Sequence, residues 1–280
     1  MSFENLSIGL VGGGNMARAL VRGLLQAGHP ASRLDVADPD PAQLEQVVAL
    51  HAGVGIHADN TDLARSADVL VLAVKPQQMK AALAPIAGRL GGQLVLSIAA
   101  GLRLADLGRW LGAPGAPHAR LVRCMPNTPA LIGAGVTGLY ADPSVDAAGR
   151  EAAGRILGAV GSIVWADTEA QMDAVTAISG SGPAYVFHFI EALESAGRSL
   201  GFDEAGARRL AIDTVLGAAR LAAGSEDAPA VLRQKVTSKG GTTEAALASL
   251  AAAGWHDELV AAVQAAEARG RELGAELGKD

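Results

Sequence analysis

A chain of 280 residues, half of them hydrophobic, is long enough for one large domain or two ordinary ones with a sizeable core. A net charge of −6 without any basic cluster argues against nucleic acid as a partner, and the single cysteine, Cys124, excludes an internal disulfide framework and suits a reducing compartment. Residues 1–5 lack the basic start and apolar run of a signal peptide, and no apolar run approaches the roughly 20 residues that span a bilayer, so a cytoplasmic protein without a membrane partner is expected.

The first half alternates short apolar runs with helical patterns. Ile8–Val11 predicts a strand, followed by glycines and a helix over 15–27; Leu34–Ala37 predicts a second strand ending at Asp38. The continuous apolar runs 69–74 and 94–98 have the character of strands buried on both faces. Shorter candidates lie at 121–124 and 136–140, and Gly161–Trp165 closes the series. Such alternation predicts an α/β fold, a doubly wound parallel sheet with helices on both faces.

After Trp165 no strong strand run recurs. Residues 167–277 read as helices broken at Gly180-Ser181-Gly182-Pro183, at Gly201-Phe202-Asp203, between Gly224 and Pro229, at the loop 238–241 and at Gly254, with Asp203 and Ser225 as candidate caps. The expected boundary lies near residue 166, dividing the chain into 1–166 and an all-α part, 167–280. Its long helix, about 183–200, is apolar over much of its circumference (Val186, Phe187, Phe189, Ile190, Leu193, Leu200). A helix apolar on most sides needs burial on most sides, which favours an intertwined homodimer over a compact monomeric bundle.

Gly12-Gly13-Gly14-Asn15-Met16-Ala17 follows the first strand and opens the first helix. It fits G-x-G-x-x-A, with Gly12 for the tight turn, Gly14 for close approach to a pyrophosphate and Ala17 for helix–sheet packing. Asp38 ends the second strand about 20 residues further on, where an acidic side chain accepts ribose hydroxyls; Ala37-Asp38-Pro39-Asp40-Pro41 is also a good turn sequence. Together these features predict a Rossmann-type NAD(P)-binding domain over 1–166. Ala73-Val74-Lys75-Pro76 and Met125-Pro126-Asn127-Thr128-Pro129 follow two other strands, at the carboxyl end of the sheet where open α/β sheets bind ligands. Lys75 there either faces a phosphate or is a solvated strand-end lysine. No metal site is expected.

Val236-Thr237-Ser238-Lys239-Gly240-Gly241-Thr242-Thr243-Glu244 places two glycines and four hydroxyls before a helical run over 245–253. Helix starts leave N–H groups unpaired and carry partial positive charge, so this loop suits a small anion such as a carboxylate; it is equally a well-capped helix start.

These motifs, taken with Ser179-Gly180-Ser181-Gly182-Pro183-Ala184-Tyr185 and in this order, resemble the pyrroline-5-carboxylate reductase family over nearly the whole chain. The last two motifs are specific; the others are shared among related dehydrogenases. The resemblance implies reduction of the cyclic imine 1-pyrroline-5-carboxylate to L-proline by hydride from NADPH or NADH, the last step of proline biosynthesis. It implies that Thr243 hydrogen-bonds the ring nitrogen and that Ser238, Gly241 and Thr242 lie around the substrate carboxylate. Glu169 and Glu226 match acidic positions near the active site, while the tight turn Gly180-Ser181-Gly182-Pro183 either lines the substrate pocket with Ser181 toward it or is purely a helix start. Gly12, Gly13, Gly14, Asn15, Met16, Asp38, Ala73, Val74, Lys75 and Pro76 are the expected cofactor-binding residues. The residues 167–280 then form a substrate and dimerisation domain, and family dimers assemble further, typically into decamers. Family members that prefer NADPH often carry hydroxyl or basic residues where this chain has Ala37-Asp38, which leaves the cofactor preference open; a cofactor role for Lys235 does not carry over.

Two alternatives differ in chemistry. Another NAD(P)-dependent imine or β-hydroxyacid reductase of this architecture would place a lysine or aspartate on the long helix, where residues 181–200 offer only Glu191 and Glu194 as acids and no lysine. A non-catalytic NAD(P)-sensing protein need not keep Ser238, Gly241 and Thr243.

Overall fold

Residues 8–165 form one eight-stranded sheet: β1 (Ile8–Val11), β2 (Leu34–Ala37), β3 (Gly55–His57), β4 (Val69–Leu72), β5 (Leu94–Ser97), β6 (Leu121–Met125), β7 (Gly135–Ala141) and β8 (Gly161–Trp165), in the order β3-β2-β1-β4-β5-β6-β7-β8. The structure is a computed structural model describing residues 3–279; Met1 and Ser2, part of the segment read for a signal peptide, lie outside the described residues.

Strands β1, β4 and β5 are buried at every position, which is why they read as unbroken apolar runs. Helices α1 (Asn15–Gln26), α2 (Pro41–Val48), α3 (Leu63–Ser66), α4 (Pro76–Leu83), α5 (Leu104–Leu111) and α6 (Ala147–Gly158) connect them. Two apolar clusters flank the sheet. One gathers Leu20 and Leu24 of α1 with Ile156 and Leu157 of α6; the other gathers Leu63, Met79, Leu83 and Leu107 from α3, α4 and α5. Each such side chain, removed fully from water, contributes about 1.5–3 kcal/mol.

The structure corrects the expectation of a wholly parallel sheet. β6 and β7 pair antiparallel, with Arg123 opposite Tyr140, whereas β7 and β8 pair parallel. The cause is the β6–β7 connection, residues 126–134, which holds only the 3-10 turn Thr128–Ile132. A parallel crossover takes a dozen or more residues, so this chain must turn back. β3 was not anticipated, because its three residues, Gly-Ile-His, offer no apolar run.

Beyond β8 the chain is helical: α7 (Gln171–Val175), a π-helical turn (Thr176–Gly180), α8 (Gly182–Ser199), α9 (Glu204–Ala223), α10 (Pro229–Lys235), α11 (Thr242–Ala252) and α12 (Trp255–Leu277). Asp203 caps α9 by accepting the Gly206 N–H at 2.8 Å. Ser225 is not the cap of α10, which starts later with Pro229 in its first turn; its hydroxyl instead accepts the Asp227 N–H at 3.1 Å.

The chain divides into two compact units, Met1–Ser181 with Ala266–Asp280, and Gly182–Ala265. In the first, the chain leaving α12 meets the last turn of α5, where Arg109 donates to the Gly278 carbonyl at 3.2 Å. The second unit buries very little. α8, α10 and α11 contain no buried residue, and Phe187 on α8 is 60 % exposed. Among the described residues no helix is long and apolar enough to cross a membrane.

Candidate active site

In the first unit the chain leaves the sheet toward β2 and β3 on one side of β1 and toward β4 and β5 on the other. Open α/β sheets bind ligands at such a switch point, outside the carboxyl ends of the strands. Gly12 sits there with φ +99°, and a Cβ on it would stand 2.8 Å from the Ala73 carbonyl and 2.9 Å from Val74 Cγ1. Only glycine fits that turn, and the contact brings the Ala73-Val74-Lys75-Pro76 segment against the glycine motif. Lys75 is exposed at the N-cap of α4, with Pro76 as the first helical residue.

Gly14 caps α1 in an extended conformation, no side chain caps that helix start, and a Cβ on Gly14 would meet nothing within 4 Å. The first-turn N–H groups of a twelve-residue helix therefore face an approach without side-chain obstruction. This geometry fits a dinucleotide pyrophosphate. Asn15 is exposed and Met16 half-buried beside it. Asp38 Oδ2 accepts the Gly13 N–H at 2.7 Å, joining the end of β2 to the glycine turn.

Around β6 the same unit holds polar groups whose roles the sequence did not reveal. Asn127, buried, donates from Nδ2 to the Ser179 carbonyl at 3.1 Å and accepts the Val136 N–H at 3.0 Å. It ties the Met125–Pro129 segment to the π-helical turn. Gly180 in that turn lies against Met125, where a Cβ would stand 2.6 Å from Met125 Cε. Arg123, also buried, pairs with Asp173 at 2.8 Å and lies 3.8 Å from Glu169. Glu169 Oε1 in turn accepts the Leu104 N–H at the start of α5, at 2.7 Å. An arginine inside the apolar run 121–124 was the available signal. Ser181 follows the π-turn, donating its N–H to the Thr176 carbonyl at 2.9 Å. Cys124 is fully buried and burial pushes its thiol pKa up, so it is an inert core side chain.

In the second unit the motif loop turns into α11. Gly240 has φ +73°; Gly241 is the extended N-cap, and no side chain caps the helix start. Ser238 folds over this turn: its carbonyl accepts the Gly241 N–H at 3.0 Å, and a Cβ on Gly241 would collide with its hydroxyl at 2.4 Å. Glu244 reaches back to the Gly240 N–H at 2.6 Å, which fixes the loop as a capping-box glutamate would. Thr242 and Thr243 form the first turn of α11, Thr242 exposed and Thr243 half-buried. Glu226 is exposed in the segment between α9 and α10, beside Asp227, which pairs with Lys235. Hydroxyls, an uncapped helix start and a glycine approach thus converge within six residues, 238–243, an arrangement suited to a carboxylate and one further hydrogen bond. No group of three or more His, Cys, Asp or Glu among the described residues is placed to hold a metal ion.

Residues 169–273 match the family model for pyrroline-5-carboxylate reductase dimerisation, and residues 7–101 match the NADP oxidoreductase, coenzyme F420-dependent, model. The pyrroline-5-carboxylate reductase of Pseudomonas aeruginosa is 46 % identical over 273 residues, 97 % of this chain and 98 % of that protein. The chain belongs to the pyrroline-5-carboxylate reductase family. The solved family structure from Coxiella burnetii superposes with a TM-score of 0.90 at 40 % identity, covering 96 % of this chain and 98 % of that one. The family member from Plasmodium falciparum, solved with NADP bound, superposes with a TM-score of 0.83 at 30 % identity over 97 % of this chain and 99 % of that one.

Proposed function

We infer that this chain is a pyrroline-5-carboxylate reductase, converting 1-pyrroline-5-carboxylate to L-proline with NAD(P)H as the last step of proline biosynthesis. The end-to-end identity of 46 % with the Pseudomonas aeruginosa enzyme carries the reading. Bound NAD(P)H supplies the hydride.

The protein's own residues position and orient. Gly12, Gly13, Gly14, Asn15 and Met16 hold the pyrophosphate at the start of α1, with Asp38, Ala73, Val74, Lys75 and Pro76 around the rest of the dinucleotide. Ser238, Gly241 and Thr242 take the substrate carboxylate at the start of α11; Glu169, Ser181 and Glu226 lie near the substrate. Thr243 is the proposed catalytic residue, orienting the ring nitrogen through a hydrogen bond that its hydroxyl donates to the neutral imine or accepts from the protonated one. Its hydroxyl is a poor acid near neutral pH, so the proton reaches the nitrogen from solvent or with an already protonated imine. Residues 1–166 serve as the cofactor domain and 167–280 as the substrate and dimerisation domain. The exposed apolar side chains of α8 and α9 support an intertwined homodimer; the assembly of dimers into a decamer rests on the family resemblance alone. The acidic net charge supports an enzyme without nucleic-acid partners, and the single cysteine suits a cytoplasmic one, with no membrane partner expected.

The test is spectrophotometric: oxidation of NADH and of NADPH with pyrroline-5-carboxylate, with proline identified as product. Turnover of a β-hydroxyacid or a different imine in its place, or nucleotide binding without turnover, would overturn the reading in favour of another reductase or a sensor.

A further inference from the structure

We propose that Asp38 makes this chain selective for NADH over NADPH, an inference that rests on the hydride-transfer reading above. Both oxygens of this carboxylate are fixed. Oδ2 accepts the Gly13 N–H at 2.7 Å and Oδ1 accepts the Asp40 N–H at 2.9 Å. The Asp38 N–H donates to the His57 carbonyl at 3.1 Å, which anchors the residue from β3 as well. A carboxylate offers about four lone-pair sites. The two backbone donors leave acceptor capacity for two ribose hydroxyls, and they hold the charge at the end of β2 where that ribose binds.

A 2′-phosphate at the same place needs cations or hydroxyls, and the neighbouring chain supplies neither. Asp38 is followed by Pro39-Asp40-Pro41, in which the prolines have no N–H, the Asp40 N–H is taken by Asp38 and Asp40 Oδ1 caps α2 through the Ala42 N–H at 3.0 Å. No lysine or arginine occurs between Arg33 and Arg65. Arg18, the cation tied to the glycine turn, is held by neutral acceptors: Nη1 donates to the Gly13 carbonyl at 2.7 Å and to Gln43 Oε1 at 2.6 Å, and Nη2 donates to Asn15 Oδ1 at 2.5 Å. A phosphate of nearly two negative charges would meet the fixed Asp38 carboxylate, and turning Arg18 onto it would break that side chain's bonds to Gln43 and Asn15. Like-charge juxtaposition of this kind corresponds to at least about 100-fold discrimination.

The experiment separates this from the choice of substrate. Calorimetric titration of the full chain with ADP-ribose and with its 2′-phosphorylated form requires neither imine nor hydride transfer. ADP-ribose is expected to bind at least about 100-fold more tightly. Asp38→Asn removes the charge and should reduce the discrimination to about tenfold or less, chiefly by tighter binding of the 2′-phosphate. Asp38→Ser should do the same if the asparagine variant is poorly folded. The kcat/KM ratio for NADH over NADPH with pyrroline-5-carboxylate should move in parallel. Equal or tighter binding of the 2′-phosphorylated ligand by the unmodified protein, no binding of ADP-ribose, or unaltered discrimination in a folded Asp38 variant overturns the proposal. Selective nucleotide binding without imine reduction would leave it standing and overturn the substrate assignment instead.

Discussion

The buried pair between Arg123 and Asp173 offers the most direct test of how the first unit is held together. The Arg123 and Asp173 side chains are 4 % and 9 % exposed, with 2.8 Å between the charged atoms, and they join β6 to the helix leading into the π-turn. Arg123→Met would leave the Asp173 carboxylate buried without its cation, which costs about 3–5 kcal/mol. Asp173→Leu would leave Arg123 with only Glu169, at 3.8 Å and 28 % exposed, so its cost should be similar. The double variant replaces two desolvated charges with apolar side chains and should cost less than the sum by at least about 2 kcal/mol. Urea unfolding followed by far-UV circular dichroism, at fixed protomer concentration because the chain self-associates, gives the three numbers. Arg123→Met within about 1 kcal/mol of the parent, or a double variant equal to the sum of the singles, would refute the reasoning.

Three further outcomes follow from the site and the core. Thr243→Ala should lower kcat/KM about 5–150-fold, the equivalent of one positioning hydrogen bond of about 1–3 kcal/mol, with little change in melting temperature; an unchanged kcat/KM would remove Thr243 from the mechanism. Gly12→Ala should weaken NADH binding and lower the melting temperature together, because the added Cβ would stand 2.8 Å from the Ala73 carbonyl at φ +99°; a variant with parental binding and stability would contradict the turn geometry. Acidification should destabilise the fold through His29. Burial lowers its pKa from the ordinary 6.5, and the nearby Leu6 carbonyl, which would favour the charged ring, meets neither ring nitrogen with hydrogen-bond geometry. The unfolded chain therefore binds the proton more readily than the native one, and stability is lost as pH falls through about 6.5. The urea midpoint should drop between about pH 7.5 and about pH 5.5, and His29→Leu should flatten that drop; an undiminished slope would show that His29 is not responsible.

The parts of the fold legible in the sequence are those that composition alone dictates. β1, β4 and β5 are buried on both faces and must be apolar throughout, so their runs stand out. The direction of β7 was not legible in the same way, because periodicity carries no sign; the length of the 126–134 connection decides it. The π-turn escaped notice for a related reason. Thr176–Gly180 is ordinary helical sequence, and the widened turn arises where the chain also meets Asn127 and Met125. π-turns are frequent at functional sites, and this one precedes the Ser181-Gly182-Pro183 entry to α8.

For the site, backbone requirements were legible and side-chain partnerships were not. Gly12 and Gly240 announce themselves because positive φ selects glycine locally. The bond from Gly13 to Asp38 spans 25 residues and exists only because β1 and β2 pair in register, Val11 beside Ala37. The sequence placed an acid in the right neighbourhood but left it suspended between a turn residue and a ribose acceptor. The structure makes these roles compatible: the turn through Asp40 and the grip on Gly13 each use one carboxylate oxygen, which fixes the group and leaves it further acceptor capacity. The loop at 238–243 follows the same logic. The Gly241 N–H and Glu244 satisfy the turn internally, so the start of α11 is left without a side-chain cap, and the proposed carboxylate site would draw on donors that loop stability does not use.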